Sequence, residues 1–321
     1  MSQTTDLRVI VKAFEEGLRE TPVVPLRMEG IELFAKLEYC NAFGSVKDRP
    51  AFWILKSAVE SGDVTMGSTI VESSSGNFAS ALASYCQLLG LRFIAVIDPN
   101  IAPGNESFLR RACDEVVKVE ERDDKGGFLK TRLNKVKELC AAIPGAFWTN
   151  QYGNPKAMEA HYLLTGEEMC RSFSELDYVF VGVSTGGTIS GVSHRVKERF
   201  PSARVIAVDA EGSVIFGGEP KKRHIPGIGA TTVPELLKQA RIDDVVLVPE
   251  MEAVQACREL LFDHGLFVGG SSGSAYAAVK RYLPKMRSLS RPPKVLFLCA
   301  DRGSAYLDTV FNPTWAMRLA S

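Results

Sequence analysis

The chain contains 321 residues, of which 38 are Lys or Arg and 38 are Asp or Glu, so its formal net charge is zero. This balance argues against a dedicated nucleic-acid or membrane-surface binder, because both need a surplus of positive charge. A composition of 45% hydrophobic and 24% charged residues is typical of a soluble globular protein with one large or two ordinary domains.

Membrane insertion, secretion and cysteine-based sites are also disfavoured. No run of roughly 18 uninterrupted apolar residues occurs, and the polar segment Met1–Asp6 lacks the basic-then-apolar order of a secretory signal. The seven cysteines form no C-x-x-C pair, which argues against a zinc site and a disulfide framework. We therefore expect a reduced, cytoplasmic protein without a metal site.

Short apolar runs alternate with helix-like segments along the chain. Most runs are continuous rather than alternating, as in strands buried on both faces of a parallel sheet. The predicted strands are Ile31–Leu37, Thr69–Glu72, Arg92–Ile97, Val116–Val119, Tyr178–Val183, Arg204–Val208, Asp244–Val248 and Lys294–Cys299. A helix is predicted over Asn77–Leu89, closed by Gly90. The pattern predicts an α/β fold with largely parallel sheets in two lobes, and a ligand cleft between them.

Four segments of small residues follow predicted strands or precede helices: Ser73–Asn77, Ser184–Thr188, Gly227–Gly229 and Gly269–Gly273. In such a turn, backbone N–H groups and hydroxyls converge on an anion at the positive end of a helix, and a phosphate group suits them. Any single one of these segments is equally well explained as a tight turn. Four of them in one chain favour a phosphorylated ligand. Neither the P-loop pattern nor G-x-G-x-x-G occurs, so ATP and NAD have no support.

A serine hydrolase is the alternative from a different class. Gly182–Gly186 and Gly269–Gly273 both match G-x-S-x-G, and Asp209 with His224 or His264 could complete a triad. A motif without its catalytic partners is weak support. A catalytically silent binding protein with the same fold is a further alternative.

Lys47 follows a turn and lies at the predicted start of a helix. The helix dipole disfavours a cation there, which would lower the pKa of this lysine and help it act as an amine nucleophile. A solvated surface lysine is the ordinary alternative, and Lys47 alone would not be distinctive.

Several motifs together resemble those of the cysteine synthase family, in the same order and spacing, from about Thr21 to Trp315. They are Asn41–Arg49, Ser74–Asn77, Thr185–Thr188 and Gly270–Gly273. That family belongs to the fold-type-II pyridoxal-phosphate enzymes. The resemblance implies a homodimer in which each chain has two α/β lobes, with the cofactor in the cleft between them. It also implies a larger cofactor-binding domain (1–40 and 150–321) and a smaller mobile domain (41–149) with the substrate-carboxylate loop.

The resemblance assigns cofactor-binding roles to individual residues. It implies that Lys47 bonds covalently to the aldehyde of pyridoxal 5'-phosphate, and that Asn77 hydrogen-bonds the ring oxygen. Ser271 is expected to pair with the pyridine nitrogen, as a neutral partner that favours β-elimination and replacement over transamination. The residues expected to bind the cofactor phosphate are Ser184, Thr185, Gly186, Gly187 and Thr188.

Substrate-binding residues follow from the same resemblance. The substrate carboxylate is expected to bind Ser74, Ser75 and Gly76, assisted by Gln151. Arg132 is the leading candidate for binding a phosphoryl group or further carboxylates, because arginine binds such groups bidentately. Tyr152 and Ser184 are expected to shape this site. The ordinary alternative for Arg132 is a solvated helix residue.

Other positions differ from plain cysteine synthases. This chain has Phe78 where they usually carry Thr and Ser184 where they carry Gly, and Gly126–Arg132 and Val208–Gly217 are not their usual sequences. These differences resemble the branch that joins O-phospho-L-serine to L-glutamate for 2,3-diaminopropionate and siderophore biosynthesis. The implied reaction is a β-replacement that gives N-(2-amino-2-carboxyethyl)-L-glutamate and phosphate. A cysteine synthase that uses O-acetylserine or O-phosphoserine with sulfide is the nearest alternative.

Overall fold

The computed structural model describes residues 6–123 and 126–320. Residues 1–5, whose polar sequence argued against a secretory signal, lie outside this range. The chain divides into two compact units. Unit 1 contains the residues up to Arg19 and Lys47–Ala157, and unit 2 contains Glu20–Val46 and the residues from Met158 onward. These bounds differ from the predicted domain bounds chiefly because residues 6–19 belong to unit 1. The assignment of one cofactor-binding and one mobile domain stays a prediction.

The described residues form ten β-strands and eleven α-helices. The strands are β1 Val23–Leu26, β2 Glu32–Leu37, β3 Thr69–Ser73, β4 Arg92–Ile97, β5 Glu115–Lys118, β6 Ala146–Trp148, β7 Tyr178–Gly182, β8 Arg204–Ala210, β9 Asp244–Val248 and β10 Lys294–Cys299. The helices are α1 Leu7–Gly17, α2 Asp48–Ser61, α3 Asn77–Leu89, α4 Pro103–Ala112, α5 Leu129–Ala142, α6 Pro155–Ala160, α7 Glu167–Ser172, α8 Gly187–Arg199, α9 Glu250–His264, α10 Gly270–Arg287 and α11 Pro313–Ala320. Each of these helices is too short or too polar to cross a lipid bilayer.

Unit 1 contains a four-stranded sheet in the order β5-β4-β3-β6, and all of its strands are parallel. Val71 and Ile94 of this sheet pack against Val136 of α5 in an apolar core. Since the strands are parallel, their carboxyl ends lie along one edge, where ligands of open α/β sheets commonly bind. Ser73 ends β3 at this edge, and Asp98 directly follows β4.

Unit 2 contains a six-stranded sheet in the order β1-β2-β10-β7-β8-β9. Only the edge pair of β1 and β2 is antiparallel in this sheet. Phe180 and Ile206 face a core that includes residues of α9 and α10, whereas Val179 and Val205 face a second core that includes residues of α8. Burial on both faces explains why these strands are continuous apolar runs.

The predicted α/β class with largely parallel sheets is confirmed, and all eight predicted strands are present. The two missed strands are β1 and β6. Strand β1 contains Pro25, which is tolerated because β1 is an edge strand, and β6 has only three residues.

A buried ion pair fixes β2 to α7 in unit 2. Lys36, whose side chain is 1% exposed, donates to the carboxylate of Glu168 at 2.5 Å and to the carbonyl of Thr21 at 2.7 Å. The Thr21 hydroxyl in turn donates to the carboxylate of Glu38 at 2.7 Å. These charges are tolerated inside the protein because each has close polar partners.

We predict that Lys36→Ala lowers the free energy of unfolding by about 3–5 kcal/mol, because it leaves Glu168 buried without its cation. The control is Lys238→Ala, which breaks an ion pair with Glu235 in which both side chains are 67% exposed, and should cost about 1 kcal/mol at most. Urea-induced unfolding measures both variants. Equal losses in the two variants would contradict the buried-pair argument.

Candidate active site

Lys47 directly precedes the first residue of α2, Asp48, as the sequence predicts. Its side chain is half-buried, and desolvation lowers the pKa of its ammonium group from 10.5 to about 8. Near pH 8, Lys47 is therefore a neutral amine in a larger fraction of the molecules than a solvated lysine would be. This environment is not that of a solvated surface lysine, and the lowered pKa favours the neutral amine that a nucleophile requires.

The predicted carboxylate loop, Ser74–Gly76, connects β3 to α3 in unit 1. The Ser74 hydroxyl oxygen accepts hydrogen bonds from the N–H groups of Ala79 at 3.3 Å and Gly76 at 3.4 Å. These bonds fix the loop against the first turn of α3. N–H groups in a first helical turn lack intrahelical acceptors and favour an anion. The loop and the start of α3 thus suit a carboxylate.

The buried carboxylate of Glu72 fixes a second segment beside this loop. It accepts from the Thr149 hydroxyl at 2.6 Å and from the Gln151 N–H at 3.2 Å, and burial raises its pKa. The Gln151 side-chain amide donates to the carbonyl of Ser73 at 3.3 Å. Among the described residues, Asn150 is the one non-glycine with a positive φ, +50°, at the turn that leads to Gln151. The structure therefore brings Gln151 to the carboxylate loop, and Glu72 is a contributor that the sequence reasoning missed.

Arg132 of α5 also lies at the carboxylate loop. Its Nη1 donates to the Ser75 hydroxyl oxygen at 3.2 Å, and its Nε lies 3.2 Å from Oδ2 of Asp98. Its side chain is only 13% exposed, so the interpretation of Arg132 as a solvated helix residue is wrong. Burial raises the pKa of the Tyr152 phenol, and the neighbouring Arg132 partly opposes this shift. Ser75, Arg132 and Tyr152 are thus neighbours within unit 1.

The predicted phosphate loop, Ser184–Thr188, connects β7 to α8 in unit 2. Gly186 has a φ of +85°, and a Cβ at this position would lie 2.8 Å from the backbone nitrogen of Leu237. Glycine is therefore required for both conformation and space. Helix α8 begins at Gly187, so its first-turn N–H groups face the loop together with nearby hydroxyl groups. This arrangement suits a phosphate group.

Two further segments pack at the phosphate loop. The N–H of Gly229 donates to the carbonyl of Val183 at 2.8 Å, and the Ser184 hydroxyl donates to the carbonyl of Gly229 at 3.3 Å. A side chain at Gly182 would contact both Ser271 and Ile228. Ser271 lies in the first turn of α10 and is buried. Three of the four segments of small residues therefore lie together within unit 2, namely Ser184–Thr188, Gly227–Gly229 and Gly269–Gly273.

His161 is a second contributor that the sequence reasoning missed. It is buried in the π-helical turn His161–Gly166, and its Nε2 lies 3.2 Å from the hydroxyl of Thr188. Its Nδ1 lies 2.9 Å from the hydroxyl of Thr165. The imidazole therefore orients a phosphate-loop hydroxyl. Such π-helical turns are often found at functional sites, but they have no simple sequence pattern from which the role of His161 could be predicted.

The serine-hydrolase alternative lacks a catalytic base in the described part of the chain. The Ser184 hydroxyl bonds a carbonyl oxygen, not an imidazole. His224 instead faces Glu250, with Nδ1 at 3.0 Å from the carboxylate, and His264 faces the hydroxyl of Tyr276 at 3.2 Å. The serine of the Gly182–Gly186 match therefore has a carbonyl partner, and the Gly269–Gly273 match forms the start of α10.

Within each unit, the residues have chemistry that fits one part of a phosphorylated pyridine aldehyde. Gly186 and the start of α8 leave room and donors for its phosphate, and Lys47 is an amine with a lowered pKa for its aldehyde. The neutral hydroxyl of Ser271 suits an unprotonated ring nitrogen.

Comparisons with known proteins agree with this chemistry. Residues 14–301 match the family model described as pyridoxal-phosphate dependent enzyme. N-(2-amino-2-carboxyethyl)-L-glutamate synthase of Ralstonia nicotianae is 43% identical over 98% of this chain and 93% of its own length. The protein of the same name from Cupriavidus metallidurans is 42% identical, also over 98% of this chain and 93% of its own length.

Solved structures show the same architecture. The O-acetylserine dependent cystathionine beta-synthase of Helicobacter pylori is 28% identical, with a TM-score of 0.83 over 96% of this chain and 99% of its own. The family model covers most of the chain, and its members depend on pyridoxal phosphate. The chain therefore belongs to the family of pyridoxal-phosphate dependent enzymes.

Proposed function

We propose that this enzyme joins O-phospho-L-serine and L-glutamate in a β-replacement that gives N-(2-amino-2-carboxyethyl)-L-glutamate and phosphate. The similarity to two synthases of that product over nearly the whole chain carries the proposal. The buried Arg132 beside Ser75 supports it, because a doubly charged phosphoryl substituent needs a nearby cation that an acetyl substituent does not.

The cofactor-binding roles that the family resemblance implies are also proposed here. In unit 1, Lys47 would bond its aldehyde and Asn77 would donate to its ring oxygen. In unit 2, Ser271 would pair with its ring nitrogen, and the residues proposed to bind its phosphate are Ser184, Thr185, Gly186, Gly187 and Thr188. When bound, pyridoxal phosphate accepts the electron pair left at the substrate α-carbon after loss of a proton.

Substrate recognition is proposed to rest on unit 1. Ser74, Ser75 and Gly76, with Gln151, would bind the α-carboxylate of O-phospho-L-serine. Arg132 would bind the phosphoryl group or a glutamate carboxylate, and Tyr152 would shape the site beside it. These assignments use the hydrogen-bond donors that lie at the carboxylate loop.

Lys47 is proposed to move the proton at the α-carbon. The amino group of O-phospho-L-serine would first replace Lys47 at the aldehyde and so free the lysine amine. The free, neutral amine would then take the α-proton, phosphate would leave from the β-carbon, and the amino group of glutamate would add there with loss of one proton. Lys47 then returns a proton to the α-carbon. A lysine with a pKa of about 8 suits both directions of transfer, because near pH 8 its neutral and protonated forms are comparably populated.

The biological setting is also a proposal. The product of this reaction would serve 2,3-diaminopropionate and siderophore biosynthesis, as in the branch that the sequence resembles. The resemblance to cysteine synthases supports a homodimer. The free cysteines, which lack any C-x-x-C pair, are consistent with a cytoplasmic enzyme.

The reaction is tested with purified, cofactor-loaded enzyme, O-phospho-L-serine, and either L-glutamate or sulfide. We expect release of phosphate, and with glutamate a product of the mass of N-(2-amino-2-carboxyethyl)-L-glutamate. Lys47→Ala should abolish turnover. Cysteine formation from sulfide, without any product from glutamate, would instead support the cysteine synthase alternative.

The lowered pKa of Lys47 predicts how cofactor uptake depends on pH. Since only the neutral amine attacks an aldehyde, the rate of covalent uptake by cofactor-free enzyme should rise with pH, with a midpoint at about 8. A solvated lysine would give a midpoint near 10.4, its ordinary value. Absorbance of the enzyme-bound cofactor measures the rate, and Lys47→Ala is the control. A midpoint near 10 would contradict the effect of burial.

A further inference from the structure

We propose that Asp98 is a positioning residue that keeps Arg132 against Ser75. Because Arg132 donates to the Ser75 hydroxyl oxygen, the hydroxyl hydrogen of Ser75 is left to donate a hydrogen bond to the bound substrate anion. Sequence reasoning assigned no role to Asp98. The inference rests on the proposed function only for the identity of the anion, a carboxylate or phosphoryl group of O-phospho-L-serine.

Asp98 is fixed by its own turn. It directly follows β4, and its side chain is buried, with 6% of the residue exposed. Its Oδ1 accepts from the N–H of Asn100 at 2.8 Å, and its backbone carbonyl accepts from the N–H of Ile101 at 3.2 Å. The remaining oxygen, Oδ2, lies 3.2 Å from Nε of Arg132. The carboxylate therefore presents one oxygen to the guanidinium at a fixed place.

The direction of the hydrogen bond between Arg132 and Ser75 follows from chemistry alone. A guanidinium has only donors, so the Ser75 hydroxyl oxygen must accept the bond from Nη1. A serine hydroxyl has a single hydrogen, which then remains to be donated elsewhere. The Ser75 backbone is itself fixed, because its carbonyl accepts from the Asn105 side chain at 3.3 Å. Ser75 is thus prepared as a donor to an anion.

Arg132 retains unused donor capacity for the same anion. Its Nε is buried, and although Oδ2 of Asp98 is 3.2 Å away, the geometry gives Nε no hydrogen-bond partner among the described residues. Nε is therefore a donor of Arg132 that no hydrogen bond to a described residue uses. Without the Asp98 charge, Arg132 would be a largely buried cation that lacks its counter-ion, and it would leave Ser75 for solvent.

A double-mutant cycle tests whether Asp98 acts through Ser75. The four proteins are the wild type, Asp98→Asn, Ser75→Ala and the double variant, all loaded with cofactor. The apparent Kd for O-phospho-L-serine, which includes any loss of phosphate from the bound substrate, is measured without glutamate from the change in absorbance of the enzyme-bound cofactor. We expect Asp98→Asn to raise the Kd about tenfold in the wild-type background and less than about twofold in the Ser75→Ala background. A merely structural role would give the same factor in both backgrounds, and that result, or no effect in either, would overturn the proposal.

Two further variants keep the test decisive. Arg132→Lys retains the charge but cannot contact Asp98 and Ser75 with the same planar group. We therefore expect Arg132→Lys to raise the Kd for O-phospho-L-serine less in the Ser75→Ala background than in the wild-type background. If Asp98→Asn is poorly folded, this pair tests the hydrogen bond between Arg132 and Ser75 on which the role of Asp98 depends, and equal effects of Arg132→Lys in the two backgrounds would overturn the proposal. The matched control is Glu106→Gln, which breaks an ion pair with Lys118 at 2.9 Å elsewhere in unit 1 and should leave the Kd unchanged. Cofactor content and thermal unfolding establish that each variant is intact.

The titration needs neither glutamate nor turnover, so the two proposals fail separately. If the wild type binds O-phospho-L-serine but forms no product with glutamate, the proposed function fails and the cycle still decides the role of Asp98. If product forms but the effects of Asp98→Asn and Ser75→Ala multiply independently, only the role of Asp98 is overturned.

Discussion

The sites in both units depend on the unsatisfied N–H groups where a helix begins directly after a parallel strand. In unit 1 the pair is β3 and α3, and in unit 2 it is β7 and α8. Four N–H groups at a helix start have no intrahelical acceptor, and small residues in the preceding loop let an anion approach them. The parallel sheets supply this arrangement because the carboxyl ends of their strands lie along one edge. Anions can thus be bound by a chain with no net charge.

Buried carboxyl groups in unit 1 then fix the carboxylate loop at the start of α3. Glu72 connects the end of β3 to Gln151, and Asp98 faces Arg132 beside Ser75. Each carboxylate lies at or just after the carboxyl end of a strand and has close polar partners, as buried charges require. Neutral donors predominate in both loops, and Arg132 is the cation that contacts the carboxylate loop. Recognition of a phosphoryl group beside a carboxylate is the chemistry that this arrangement favours.

Much of the fold could be predicted from the residues, because local patterns determine it. Continuous apolar runs located eight strands, and the strands Arg92–Ile97, Asp244–Val248 and Lys294–Cys299 have the predicted bounds. Strand β1 was missed because a proline interrupts its pattern, and proline is allowed there only since the strand is at an edge of the sheet. Edge position is a property of the assembled sheet and not of the local sequence.

In the candidate site, too, local patterns could be predicted from the sequence and contacts between distant residues could not. The strand–turn–helix pattern located the loops around Ser74 and Gly186, and the helix that begins after Lys47 was expected. Asp98 and His161 were not found, because their partners, Arg132 and Thr188, lie far from them in sequence. Their contributions depend on contacts that only the folded chain creates. The family resemblance selected Arg132, but only the structure shows that it is buried against Ser75.

Reduction with borohydride tests directly whether Lys47 is the residue that binds the cofactor covalently. The cofactor-loaded enzyme is reduced and digested, and its peptides are analysed by mass spectrometry. We expect loss of the yellow colour and a phosphopyridoxyl label on Lys47 in the peptide around Asn41–Pro50. A label on another lysine, or a protein that takes up no pyridoxal phosphate, would contradict this assignment.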